Sequence, residues 1–263
     1  VINTIRESHP SSKGALHYLH LDLNDLTTIK ASAQDFLSRE KRLDVLFNNA
    51  GVMVPPQGSK TAQGYELQLG TNCVAPFLFT KLLHSILIRT AALPGTQQGS
   101  VRIVWVASSA TEHFSPKGGV DMENLDYRSD KAAWTKYGVS KAGNYYHSVE
   151  TARLLRDKGV VSVALNPGNL KTELTRHVPV WQRYLFEGTL LYDAKFGAYT
   201  ELFAGLSPEV SMATTGCWIQ PWGRILELRR KDIEAGGKSE EEGGTGIARR
   251  FWEWCEGETA KYA

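Results

Sequence analysis

Short runs rich in Val, Ile and Leu, separated by longer stretches of helical periodicity, constrain this chain more than any other feature. The runs are His17–Leu23, Leu43–Phe47, Val101–Ala107 and Val160–Leu165. They are near-continuous in apolar character rather than strictly alternating, which predicts strands of a parallel sheet covered on both faces. Between them, Leu26–Arg39, Tyr65–Ala91 and Trp134–Lys158 read as helices. Strand–helix alternation of this kind predicts an α/β sheet with right-handed crossovers. A further strand is predicted near Cys217–Gln220.

Bulk properties exclude several classes. With 263 residues, 42% of them hydrophobic, the chain can bury one large core or two small ones. Thirty basic and 28 acidic residues leave a net charge of +2, too little field to hold nucleic acid or an anionic membrane. Cys73, Cys217 and Cys255 are far apart and form no CxxC, as expected of reduced thiols in a cytoplasmic protein. The seven histidines form no HExxH, so no metal is expected. No uninterrupted apolar run reaches the length of a bilayer span: Phe77–Ile88 is broken by Lys81 and His84. The chain begins without Met, inside what reads as an amphipathic helix, and is expected to be a piece of something longer.

The second half carries two departures from the strand–helix rhythm. Leu170–Leu206 is aromatic-rich, with Trp181, Tyr184, Phe186, Tyr192, Phe196, Tyr199 and Phe203; it reads either as a lid over a ligand or as packing against the sheet. Ala235–Gly246 has linker composition and is predicted to be a mobile loop. Ile247–Glu256, with Phe251, Trp252 and Trp254, reads as a docking helix, or as an amphipathic membrane anchor, which Glu253 and Glu256 disfavour.

Ligands of parallel α/β sheets bind at the carboxyl ends of the strands. Three predicted strands run there into small or polar residues: Asn48-Asn49-Ala50-Gly51, Ser108-Ser109 and Asn166-Pro167-Gly168-Asn169-Leu170-Lys171-Thr172. Tyr137 and Lys141, four apart, share one helix face. As a pair they suit acid–base chemistry or an ordinary solvated face. Pro76, inside a helical stretch, has no N–H for the carbonyl of Asn72, so that helix is predicted to kink and leave the carbonyl free for a water.

Together these residues resemble the short-chain dehydrogenase/reductase family: NNAG at 48–51, Asn72, Ser108, YxxxK at 137–141 and PGxxxT at 167–172, in order. The resemblance covers about His17 to Gln220, and the C-terminal part looks like fungal retinol-dehydrogenase-like reductases. It implies a Rossmann-like, doubly wound, three-layer α/β/α fold. The whole chain, 1–263, is then one N-terminally incomplete NAD(P)-binding domain, with a lid at about 170–206 and an extension at about 222–263.

The implied activity is hydride transfer between NAD(P)(H) and a carbonyl or alcohol, the aromatic lid suggesting a bulky apolar ketone, aldehyde or secondary alcohol. Tyr137 would be the acid or base, Lys141 would favour the phenolate, Ser108 would polarise the carbonyl, and Asn72 would hold a relay water. Asp22, Leu23, Asn49, Ala50 and Gly51 would line the adenosine side, while Tyr137, Lys141, Pro167, Gly168 and Thr172 would hold the nicotinamide riboside. The longer Ser108–Tyr137 interval, with His113 and Asp121–Asp130, would form the substrate entrance. The implied cofactor is NADP or NAD, NADP slightly favoured. Homodimerisation through the helices at 65–91 and 134–158 is common in the family.

The sequence departs from the family in one respect: no TGxxxGxG turn occurs in it. That turn sets backbone N–H groups and a helix N-terminus against the pyrophosphate. The expectation is weak cofactor binding and an open sheet edge where the first two strands would lie. The alternative reading is a truncated, inactive binding or scaffold protein of the same family.

Overall fold

A computed structural model describes residues 1–177 and 191–263. Its centre is a five-stranded sheet in the order β1 (Val45–Asn48), β2 (Val101–Val106), β3 (Val160–Leu165), β6 (Trp218–Gln220), β7 (Arg224–Leu226). The first four are parallel, and β7 returns antiparallel to β6. A separate parallel pair joins β4 (Leu170–Lys171) to β5 (Tyr192–Asp193).

β2 and β3 are buried along their whole length, as their continuous apolar character requires. Successive side chains enter opposite layers. Ile103, Trp105, Val160 and Ala164 face the larger core, while Val104, Val106, Val161 and Val163 face the smaller one. Each buried Val or Ile among them contributes about 1.5–3 kcal/mol relative to exposure. Trp105 is fully buried at no polar cost, because its Nε1–H donates to Ser162 Oγ at 3.2 Å.

Helices α2 (Leu26–Arg39), α3 (Leu67–Ala91), α5 (Ala133–Leu155) and α8 (Ile247–Thr259) contribute to the larger core. α2 starts where Asp25 accepts from Thr27 N at 3.0 Å, an N-cap, and it buries Leu26 and Ile29. The smaller core is covered by α6 (Ala194–Leu206). Its C-terminal carbonyls are held by the buried Arg102 guanidinium, which donates to Ala204 O and Ser207 O at 3.1 and 2.8 Å. Among the described residues the remaining α-helices are α1 (Ile2–Ser8), α4 (Ala110–His113) and α7 (Lys231–Gly237). By length and composition α3 could cross a membrane, yet 72% of its apolar window is buried inside the protein. The lysine and histidine that interrupt it in the sequence are half-buried on its flank.

Two expectations are corrected and a third is given its local form. His17–Leu23 forms no strand. Leu19, Leu21 and Leu23 do pack on the core while Tyr18, His20 and Asp22 stay exposed, but no neighbouring strand among the described residues offers the ladder that extended backbone needs. β1 is accordingly the sheet's edge. The predicted linker 235–246 begins inside α7, where Gly236 and Gly237 are buried. These glycines serve close packing, Gly236 against the Tyr146 ring and Gly237 against the Tyr145 ring. The predicted kink at Pro76 is a π-helical turn, Gly70–Val74, centred on Asn72.

The C-terminal segment docks as predicted. Ala248, Phe251, Trp252, Cys255 and Thr259 are buried at helical spacing on one face of α8. Phe251 stacks on His147 at 5.1 Å, and Trp252 meets Phe77 edge-on at 4.7 Å.

Candidate active site

A cavity of about 1050 Å³ opens at the carboxyl ends of β1, β2 and β3. Asn49, Ala50 and Gly51 form one wall, directly after β1. Pro167, Gly168 and Thr172 form another, after β3. Gly168 takes a φ of +93° with the Trp222 ring only 2.7 Å from where a Cβ would stand, so no other residue fits this turn.

Tyr137 and Lys141 reach the same cavity from α5. They are 3% and 5% exposed, so the pair is not a solvated helix face. Gly138 lets α5 approach this closely: a Cβ there would stand 2.5 Å from Ser115 N and 2.6 Å from Phe114 C. Lys141 Nζ donates to the Val106 carbonyl at 2.8 Å, and Asn144 Nδ2 donates to the same oxygen at 3.2 Å. The ammonium lies 5.7 Å from the Tyr137 ring centroid.

Ser108 lies two residues beyond β2, lines the same cavity as Tyr137, and acts on the phenol as a hydrogen-bonding neighbour that lowers it. Its Oγ also accepts from Ala110 N at 3.2 Å. Ser109 turns elsewhere, donating to Asn169 Oδ1 at 3.2 Å. Of the two neighbouring serines, Ser108 is therefore the one that acts on the tyrosine.

Asn72 stands behind the cavity wall, 1% exposed. Its Oδ1 accepts from Val52 N at 2.7 Å, and its Nδ2 donates to Val52 O at 2.8 Å and Ser140 Oγ at 3.1 Å. The side chain thus ties the loop after β1 to α5. Gly51 leaves room for it, since a Cβ there would lie 2.8 Å from Asn72 Oδ1.

Burial governs the titration of both central groups. It pushes the Tyr137 phenol up to about 12, against the hydrogen bond from Ser108, which lowers it. It brings Lys141 down to about 8, opposed by the Glu201 carboxylate. In the phenol, desolvation of the phenolate outweighs the hydrogen bonding from Ser108.

Asp22 and Leu23 are not brought to this site. Asp22 is exposed and accepts from Asn24 N at 2.8 Å, and Leu23 packs on the larger core. Neither lines the cavity, because the stretch that carries them is not seated beside β1 as a strand. Of the aromatic region, Trp181, Tyr184 and Phe186 lie outside the described residues. Tyr192, Phe196 and Trp222 cluster with centroids 5.0–6.4 Å apart, and α6 turns Ala194, Ala198, Glu201 and Leu202 toward the cavity.

Sequence reasoning missed the apolar end of the site. Met53, Ala110 and Tyr137 form a small buried cluster, with Trp134 and Leu174 packed against it. Trp134 stands three residues before Tyr137, one helical turn away, so YxxxK spacing extended backward by a turn would have found it. Glu201 was also missed. Burial raises its carboxyl, and Lys141 lowers it.

A sequence profile described as short chain dehydrogenase matches residues 2–120. A short-chain dehydrogenase/reductase of Phomopsis amygdali is 53% identical over 99% of this chain and 78% of its own length. The pkfC short-chain dehydrogenase/reductase of Emericella nidulans is 44% identical over 100% of this chain and 81% of its own. Among solved structures, an NADPH-bound carbonyl reductase from chicken fatty liver matches with a TM-score of 0.60 at 21% identity, over 86% of this chain and 81% of that one. A 3-ketoacyl-(acyl-carrier-protein) reductase from Brucella melitensis complexed with NADH matches with a TM-score of 0.56 at 20% identity, over 77% and 75%. At those identities the two structures speak for the Rossmann-like fold alone.

Proposed function

The chain belongs to the short-chain dehydrogenase/reductase family, and from that premise we propose that it is an oxidoreductase interconverting an apolar carbonyl compound and its alcohol with a nicotinamide cofactor. The observation that carries this reading is the Ser108–Tyr137–Lys141 constellation, gathered in one cavity at the carboxyl end of a parallel sheet with Tyr137 and Lys141 buried.

The residues present fit one end of such a cofactor. Lys141 carries three N–H donors, and among the described residues only the Val106 carbonyl accepts from it. The remaining donors suit ribose hydroxyls. Gly51 and Gly168 belong to the cavity wall, where their missing Cβ atoms let Asn72 and Trp222 pack against it from behind. Pro167, Gly168 and Thr172 would hold the carboxamide side, and Asn49 to Gly51 the adenosine side. No TGxxxGxG turn is present for the pyrophosphate. When bound, the nicotinamide supplies or accepts the hydride.

The chain's own residues handle the oxygen and the proton. Ser108 Oγ donates to the carbonyl oxygen and polarises it as negative charge develops. Tyr137 gives its phenolic proton to that oxygen in reduction and withdraws it from the alcohol in oxidation. A phenol held near 12 keeps its proton at neutral pH, which suits reduction. Lys141 attracts the phenolate that remains. Asn72, through Val52 and Ser140, fixes the loop after β1 against α5.

The test is consumption of NADPH and NADH with a panel of ketones and aldehydes. Turnover that disappears in Tyr137→Phe while the fold persists supports the reading. Absence of turnover with every carbonyl tried, by correctly folded protein, overturns it.

A further inference from the structure

The face of the cavity beside Tyr137 is not merely apolar; it is aromatic and incompletely covered. Trp134 precedes Tyr137 by one helical turn and meets its ring edge-on, centroids 6.2 Å apart at 80°. Phe114 continues the wall beyond it, 5.0 Å from Trp134 with planes inclined by 33°. Both line the cavity, and Phe114 is 43% exposed there. Met53 lines the same cavity and belongs to the cluster around Tyr137. A thioether is a favourable neighbour for a ring. A group joined to a carbonyl carbon between Ser108 and Tyr137 would therefore meet aromatic surface first.

We propose that the substrate is a flat aryl carbonyl compound, or the corresponding alcohol, whose ring lies against Trp134 and Phe114. This rests on the reading of Ser108 and Tyr137 as the carbonyl-handling pair, and it names the substrate class of that site. An alkyl group of the same size would gain the same burial, since the hydrophobic term follows area. It would forgo the quadrupole contacts that aromatic pairs add beyond burial. Two such contacts amount to roughly tenfold in preference.

The discriminating pair is acetophenone and cyclohexyl methyl ketone, which match in carbon skeleton and differ in aromaticity. The expected result is a kcat/KM about tenfold higher for acetophenone. That ratio should fall toward one in Trp134→Leu and persist in Trp134→Phe. Phe114→Leu, on a different element, should lower it by a smaller factor and keeps the test open if Trp134→Leu folds poorly. Equal kcat/KM for the two ketones, or a ratio unchanged in both leucine variants, overturns the proposal. Equilibrium dialysis of the two ketones reads the same preference without turnover. If no carbonyl is turned over, the oxidoreductase reading fails. Dialysis then still decides between an aryl-selective pocket and equal binding, which would overturn the inference as well.

Discussion

The close approach of α5 to the segment after β2 can be tested with one methyl group. Gly138→Ala places a Cβ 2.5 Å from Ser115 N, 2.6 Å from Phe114 C and 3.0 Å from Ala110 O. All three are backbone atoms, so no side chain can rotate away, and the whole 110–115 segment must shift. Overpacking at such a site costs about 3 kcal/mol, the upper part of its range. The helix propensity of alanine over glycine returns about 1 kcal/mol. The net loss is about 2 kcal/mol, which lowers Tm by roughly 4–8 °C in a chain of this size. Gly257→Ala is the matched control: it is also helical, in α8, but has nothing within 4 Å of the added methyl. Only the propensity gain remains there, a rise in Tm of roughly 2–4 °C. Thermal melts followed by circular dichroism at one pH compare the two. Since the 110–115 segment follows Ser108 directly, turnover by Gly138→Ala should fall further than its stability alone dictates. If Gly138→Ala raises Tm as Gly257→Ala does, the two elements are not in the contact described.

Other consequences follow from the same geometry. His147, caged by Phe77, Trp105 and Phe251, is held down at about 3, and His84 at about 4, both chiefly by burial. A depressed histidine leaves the unfolded chain binding more protons, so the contribution of these two is complete above about pH 6.5 and is lost as pH falls toward 3. The loss is on the order of several kcal/mol, since each pH unit separating the buried imidazole from a free one is worth roughly 1.4 kcal/mol. Urea titrations across that range should show it, and His147→Phe should flatten the slope. Asn72→Ala orphans both the N–H and the carbonyl of Val52, at about 1–3 kcal/mol, and should lower stability and turnover together. Ser108→Ala should reduce kcat by about 10²–10³ with little change in Tm; an unchanged kcat would remove Ser108 from the chemistry.

Much of this was legible in the sequence because each prediction rested on a local physical requirement. Val160–Leu165 and Leu26–Arg39 keep their predicted bounds, since a doubly buried strand and a capped amphipathic helix each announce their ends. The meeting of Ser108 with Tyr137 follows from strand-end logic that needs no side-chain detail. His17–Leu23 went wrong because a strand is made by its neighbour as much as by its own residues, and no described strand lies beside it. Ala235–Gly237 misled for a different reason. Glycines that permit a helix to press on Tyr145 and Tyr146 have the same composition as a linker. The titration of Tyr137 was also beyond the sequence, since spacing gives the partner of a phenol but not the depth at which the two are buried.

The central claim is that the buried phenol of Tyr137 is the proton donor of a nicotinamide-dependent carbonyl reduction. Its most direct test is the rate of NADPH or NADH consumption with an aryl ketone by wild type and by Tyr137→Phe, with melts run alongside. Removing only the hydroxyl leaves the ring and its contact with Trp134 in place. The account predicts a fall in kcat of about 10²–10⁴ with Tm held within a few degrees. Undiminished turnover by Tyr137→Phe would contradict it.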